Sequence, residues 1–316
     1  MSPSCVDAGP PPAVHSIDEF VFSVPDLAVA RQFYESFGLD VRDVDGALAL
    51  HTHGHPHRWA RVLQAAGPKR LRWLSFGIHD EDLARFAAQA AVQAVRIDRP
   101  PAGADADGIW LAGPDGLPVQ LRVADKCSPD SPAPQPWPEP QVLRGRAPAR
   151  RVAPRIRPLY LSHLLLFTAD VDRARVFYEG VLGLRLSDSA GSAIAFLHTP
   201  HGSDHHLLAL ARSDGGGLHH SSWCVPSIDA VGQGARQMAE AGHAQGWGLG
   251  RHVLGSNYFR YVRDPWGSYA EYSCDIDHVP AGQTWPAADH PAEDALYVWG
   301  PELPADFIVN HETTGR

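Results

Sequence analysis

Three residues in the second half of the chain could together hold a metal ion. His163 heads the apolar run Leu164, Leu165, Leu166 and Phe167. His220 lies in GLHHSSW (217–223), and Glu271 closes DPWGSYAE (264–271). Two imidazoles and one carboxylate are the ligand set of a non-haem Fe(II) facial triad, which leaves one face of the ion open; Zn²⁺ or Mn²⁺ accepts similar donors. Taken singly, each residue has a plainer reading, since a lone histidine at a strand end is more often a hydrogen-bonded core residue. A comparison within the chain lifts the three above that reading.

The chain says nearly the same thing twice. Residues 19–35 (EFVFSVPDLAVARQFYE) lie over 163–179 (HLLLFTADVDRARVFYE), matching Asp26 to Asp170, Ala30 to Ala174, Arg31 to Arg175 and Phe33-Tyr34-Glu35 to Phe177-Tyr178-Glu179. Each copy reads as a strand, an Asp-headed turn and a short helix with its aromatic pair turned inward, Asp being a sound N-cap. The echo continues with Gly38-Leu39 and Gly183-Leu184, 57–60 and 206–209, 71–76 and 218–223, and 113–116 and 264–267. A repeat of this length is a duplicated domain rather than a solenoid. Strands alternate with helical stretches, clearest at 80–95 and 228–242. The fold class is therefore α+β, each module a curved sheet with helices on its outer face.

The expected organisation is a first module over 14–125, a Pro/Arg-rich linker over 126–158, a second module over 159–278 and a tail over 279–316 that packs back onto the second module through Trp285, Tyr297, Trp299 and Phe307. At matching places the first copy has Glu19 for His163, Trp73 for His220 and Gln120 for Glu271. Packing residues survive in both copies and the three polar residues in one, so a purely structural role for them is hard to sustain. The metal site belongs to the second module and the first is metal-free.

Strand alternation separates His220 from its neighbour. His220, Ser222 and Cys224 share one face of a strand, and His219, Ser221, Trp223 and Val225 the other. Trp223 and Val225 must cover the helices, so alternation puts His220 on the concave, polar face and His219 on the opposite one.

Composition bounds the rest. The 316 residues, 44% hydrophobic and 20% charged, suit a globular protein of two domains. A net charge of −9 gives no electrostatic reason to expect nucleic acid. No apolar run is long enough to span a membrane, and the first residues, MSPSCVDAGPPPA, lack a signal-peptide core. Cys5, Cys127, Cys224 and Cys274 are few and widely spaced, which reads as reduced thiols of a cytoplasmic protein. Within the linker, Arg144, Arg146, Arg150, Arg151, Arg155 and Arg157 crowd fourteen residues; a solvated segment lying across the two modules accounts for them better than an anion-binding patch.

The motifs SHLLLF, DHHLLAL, GLHHSSW and GRHVLGSNYFRYVRDPWGSYAEY, in that order, resemble those of the type I extradiol (catechol meta-cleavage) dioxygenases of the vicinal oxygen chelate superfamily. The resemblance covers roughly 14–278. It implies two tandem modules built of paired βαβββ units, Fe(II) (with Mn(II) possible) on His163, His220 and Glu271, an acid–base histidine at His206, and His252 with Tyr261 as a hydrogen-bonding pair beside the substrate. The implied partners are a catechol-type small molecule and O₂, with no nucleic acid or membrane, in a homo-oligomer. His206 and His205 compete for the acid–base role, and the echo of 57–60 favours His206. Arg260, where the family has an apolar residue, faces away from Tyr261 by alternation. Trp247, Leu254, Ser256, Asn257 and the aromatic tail mark the region expected to select the catechol.

The remaining histidines carry less. His51, His53, His55 and His57 resemble a metal tract but read as surface or vestigial residues of the metal-free module. His198 and His201 are open between lining the pocket and packing elsewhere. Rival readings are a glyoxalase-type isomerase, which needs a second carboxylate ligand, a hydroxyphenylpyruvate-type dioxygenase, which would not carry the DHHLLAL and GRH motifs together, and a non-catalytic binding protein of the same fold, which needs neither triad nor His206.

Overall fold

The computed structural model describes residues 11–93, 95, 97, 99–134 and 142–313. Cys5 and the proline-rich stretch 135–141 lie outside the described residues.

In the first module, β1 (Ser16–Val24), β2 (Asp40–Val44), β3 (Ala47–His51), β4 (Arg58–Gln64), β5 (Arg70–Ile78), β6 (Ile109–Ala112) and β7 (Pro118–Val123) form one sheet in the order β2-β3-β4-β1-β5-β7-β6. Helices α1 (Leu27–Phe37) and α2 (Leu83–Val92) belong to it. The second module has β8 (Tyr160–Thr168), β9 (Arg185–Ala190), β10 (Ile194–His198), β11 (Ser203–Asp204), β12 (Leu208–Arg212), β13 (Gly217–Cys224), β14 (Gly246–His252), β15 (Tyr258–Arg263) and β16 (Tyr269–Cys274), with helices α3 (Val171–Gly180) and α4 (Ile228–Glu240). Short strands β17 (His278–Val279), β18 (Ala288–Asp289) and β19 (Tyr297–Trp299) follow. The second sheet runs β18-β9-β10-β12-β8-β13-β16-β15-β14-β19, its central β12-β8-β13-β16 repeating the β4-β1-β5-β7 of the first.

The duplication is thus one of topology as well as sequence. Asp26 caps α1 by accepting from the Ala28 and Val29 amides, and Asp170 caps α3 by accepting from that of Arg173. Three of the four inward aromatics behave as expected, while Phe177 is only half-buried. The second half of the first module departs from βαβββ: where a third strand would stand, Val95 and Ile97 hydrogen-bond alongside β6 without forming an assigned strand.

The modules share one apolar core, in which Phe20, Phe22 and Phe76 of the first join Leu164, Tyr178 and Trp223 of the second. Phe37 stacks on Tyr272 with ring centroids 3.9 Å apart, and the Tyr272 hydroxyl donates to the Phe37 carbonyl. The tail stitches the seam, since buried Glu312 accepts from the Leu71 amide on β5 and from the Leu218 amide on β13. Linker residues touch both modules: the Arg155 guanidinium donates to the Glu35 carbonyl on α1, and Arg150 pairs with Glu240 on α4.

One ion pair crosses the seam away from water. Lys69 Nζ lies 2.5 Å from Asp264 Oδ2, and both side chains are buried. Removing one partner of such a pair strands the other charge, at a cost of about 3–5 kcal/mol. Lys69→Met should therefore lower the unfolding free energy by about that amount, read from denaturant titration, and Asp264→Asn added to it should recover part of the loss. A double variant no better than Lys69→Met would show that the stranded carboxylate is not the cause.

Candidate metal centre

Three neighbouring strands bring the triad together. His163 on β8 stands opposite Ser222 on β13, and Ser222 stands opposite Glu271 on β16. His220 lies two residues back along β13, so it shares a face with Ser222. The ligand atoms of His163, His220 and Glu271 lie within 4.8 Å of one another, all three residues buried. Glu271 Oε2 is 3.4 Å from His163 Nε2 and 3.5 Å from His220 Nε2.

The donors suit a cation. Neither His220 Nε2 nor Glu271 Oε2 has a hydrogen-bond partner, although both are buried. Adjacent donors on an ion with bonds of about 2.1 Å lie about 3 Å apart, close to the 3.4 and 3.5 Å that separate Glu271 Oε2 from the two imidazole nitrogens. Glu271 Oε1 is held separately by the Asn257 amide at 3.3 Å.

Hydrogen bonds behind each histidine leave Nε2 as the free lone pair, the arrangement that orients metal-binding imidazoles. Ser162 gives its proton to Asp204 (2.5 Å), so His163 Nδ1–H donates to the Ser162 oxygen at 3.2 Å. Burial raises the Asp204 carboxyl to about 6 against the opposing bond from Ser162. For His220, the anchor is the tail. His219 Nε2–H donates to the Phe307 carbonyl at 2.8 Å, so His219 Nδ1 accepts from His220 Nδ1–H at 2.7 Å.

That geometry corrects the alternation argument. His219 does not face away from the site: the ladder between β8 and β13 shifts register between Leu218 and His220, a β-bulge that turns both histidines inward. Leu218 and Trp223 can then both reach the core. His219 packs on Phe167, Tyr261, Tyr269 and Phe307. The same bulge occurs in β5 between Leu71 and Trp73.

His206 lines the cavity, its ring 4.1 Å from that of His163 and 4.9 Å from Phe196. Burial, then the neighbouring histidines 163, 205, 220 and 252, push its pKa well below the usual imidazole range. His205 is buried behind it, bonded to Asp188. The echo that favoured His206 was misregistered by one residue. Phe20 pairs with Ala60 as Leu164 pairs with Leu208, so Arg58 is the counterpart of His206 and His57 that of His205. His252 Nδ1–H donates to the Leu296 carbonyl, and its Nε2 accepts from the Tyr261 hydroxyl at 2.9 Å. Burial lowers the His252 pKa and raises that of Tyr261 well above its usual value, so the phenol stays a donor.

Leu165, Phe196, Leu254, Leu296 and Phe307 give the cavity apolar walls. Asn257 also lines it, whereas Trp247 stacks behind Tyr261 and Ser256 donates to Asp277. Arg260 reaches the Gly248 and Ala244 carbonyls. His198 bonds Ser187, and His201 bonds the Ala13 carbonyl and packs on His79; neither lines the cavity. Of the His51–His57 tract, His53 and His55 are exposed but His51 is buried at the end of β3. Sequence reasoning missed the carbonyls of Leu296 and Phe307, which any residue could supply, and Asp188, which no spacing rule links to His205.

In the first module a salt bridge occupies the equivalent place. Buried Glu19 accepts from Arg58 and Arg61, and Arg61 lies over the Trp73 ring. Gln120 is engaged by Ser75 and Asp107. Guanidinium groups supply there the positive charge that an ion would bring to the second module.

Residues 160–272 match the model of the Glyoxalase/Bleomycin resistance protein/Dioxygenase superfamily. Metapyrocatechase 2 of Cupriavidus necator is 49% identical over 306 residues, covering 96% of this chain and 95% of that protein. The chain belongs to the extradiol ring-cleavage dioxygenases. Two solved structures share the fold of this dioxygenase. The Mn(II)-bound glyoxalase of Novosphingobium aromaticivorans has a TM-score of 0.73 at 23% identity, with 93% of each chain covered. The 2,2',3-trihydroxybiphenyl 1,2-dioxygenase of dibenzofuran-degrading Sphingomonas wittichii strain RW1 has a TM-score of 0.69 at 22% identity, covering 92% of this chain and all of that one. The α+β fold carries its candidate metal site in the second sheet.

Proposed function

We propose that this dioxygenase opens the ring of a catechol-type substrate beside its two hydroxyls, placing both atoms of O₂ in the product, at Fe(II) held by His163, His220 and Glu271. The observation that carries the reading is the pair of buried, unpartnered ligand atoms, His220 Nε2 and Glu271 Oε2, with His220 and His163 lining a cavity that is also walled by His206, His252 and Tyr261. Fe(II), when bound, supplies an open face for both reactants, acidifies the catechol hydroxyls and conducts electrons from ring to O₂.

The chain's own residues do the rest. Leu165, Phe196 and Leu254 form an apolar cluster that seats an aromatic ring and excludes water. His206 Nε2 takes a proton from a catechol hydroxyl and later returns it as the O–O bond breaks, a role that suits imidazole. The Tyr261 hydroxyl, swinging between His252 Nε2 and the substrate, donates to the deprotonated oxygen and stabilises its charge. Mn(II) fits the same donors. A glyoxalase-type isomerase is less well served, because the one metal-ligand group among the described residues holds a single carboxylate. The same reading puts the enzyme in the cytoplasm as a homo-oligomer, with Cys127, Cys224 and Cys274 as free thiols. Among the described residues no helix is long and apolar enough to cross a membrane.

Aerobic incubation of the freshly iron-loaded full chain with a panel of catechols should give a yellow ring-fission product, with one metal per chain by elemental analysis. Two metals per chain would contradict the salt-bridged first module, and no coloured product from any catechol would overturn the reaction class.

A further inference from the structure

Behind His206 lies a second histidine that the proposed chemistry does not use. His205 Nε2 is 2.8 Å from Asp188 Oδ2, and His205 Nδ1 is 3.1 Å from His206 Nδ1. Asp188, His205 and His206 are all buried, so no solvent water can substitute for these bonds. An ionised carboxylate only accepts. Hydrogen bonds from His205, His290 and the Ala288 amide outweigh the effect of burial and hold the Asp188 carboxyl at about 2, so it is ionised at neutral pH.

The polarity of the chain follows. Asp188 requires the proton of His205 on Nε2, which leaves a lone pair on Nδ1. That lone pair can pair only with a proton on His206 Nδ1. The free lone pair of His206 is then on Nε2, the nitrogen left for the cavity. In the opposite tautomer His206 would present an N–H there and could accept nothing. We infer that Asp188 and His205 are positioning residues for ring cleavage, the carboxylate acting through one imidazole to set the tautomer of the next. The inference rests on reading His206 as the acid–base group.

Asp188→Asn reverses the chain with little change of shape. The Ala288 amide faces Oδ1 at 3.0 Å and the Trp285 indole N–H faces Oδ2 at 3.2 Å, and both can only donate. The substitution is therefore made in a Trp285→Phe background, with Trp285→Phe as its parent, where the asparagine oxygen must stay on the Ala288 side. Its NH₂ then points at His205, which must accept on Nε2, donate from Nδ1, and leave His206 protonated on Nε2. In the Zn(II)-loaded full chain, ¹⁵N-detected histidine spectra should show His206 protonated on Nδ1 in the parent and on Nε2 in Asp188→Asn. In the iron-loaded variant kcat should fall about 10–100-fold, the usual span for groups acting one shell out. Metal content and anaerobic catechol affinity should stay within about twofold, since the triad is untouched.

His206 protonated on Nε2 in the parent would overturn the inference before any change at Asp188, as would an unswitched tautomer in Asp188→Asn. A switched tautomer with kcat within about twofold of the parent, well short of that span, would overturn it too. If His206→Phe turned over normally, the reading of His206 itself would fall, whatever the tautomers.

Discussion

His220→Ala is expected to give a folded protein that retains no iron through desalting and cleaves no catechol. The substitution removes one of three donors and leaves Glu271 Oε2 facing His163 alone. His219 cannot take its place, because its Nε2 is committed to the Phe307 carbonyl and its Nδ1 faced the lost ring. The affinity loss should exceed the roughly 100-fold that changes behind a ligand produce. His219→Ala provides the contrast: it removes the group that orients His220 and should weaken binding about 10–100-fold while keeping a measurable site. Iron content by elemental analysis and circular dichroism on both variants decide the matter. Stoichiometric iron in His220→Ala with none in His219→Ala would mean that the two histidines have exchanged roles, and none in both would mean that His219 is as indispensable as His220.

His206→Phe should retain metal and catechol but lose turnover by about two to four powers of ten, the span of a positioned proton-transfer group. Phenylalanine fills the space of the imidazole against Phe196 and His163 without offering a nitrogen. Anaerobic titration should show the catechol spectrum forming nearly as in the parent, since binding depends on the triad. Oxygen uptake should collapse. Uptake within about tenfold of the parent would remove His206 from the proton-transfer role, and His205 could not replace it, because both its ring nitrogens are engaged behind His206.

Much of this molecule was legible in one dimension. The duplication could be read because packing residues recur at fixed spacing, and a sheet-and-helix module imposes the same spacing twice. Topology bears this out, with β4-β1-β5-β7 mirrored by β12-β8-β13-β16. The contrast of Glu19, Trp73 and Gln120 with His163, His220 and Glu271 survives in the strand registers, where Ser75 and Ser222 hold matching places. The helix read at 80–95 shortens to Leu83–Val92 behind a single turn, while that at 228–242 keeps its start and ends at Glu240.

By itself, then, the sequence determined the α+β class, the tandem modules and the three residues that converge, because chemical type and period are properties of the chain. What only the tertiary structure decided were orientations. A one-residue bulge turns His219 inward against simple alternation, and a one-residue slip makes Arg58 rather than His57 the counterpart of His206. The sources of the final hydrogen bonds were equally hidden. Phe307 and Leu296 act through backbone carbonyls, which carry no side-chain signature, and Asp188 meets His205 from seventeen residues away. Side-chain identity is written locally, but a tautomer is set by whichever donor or acceptor the folded chain brings to the far side of the ring.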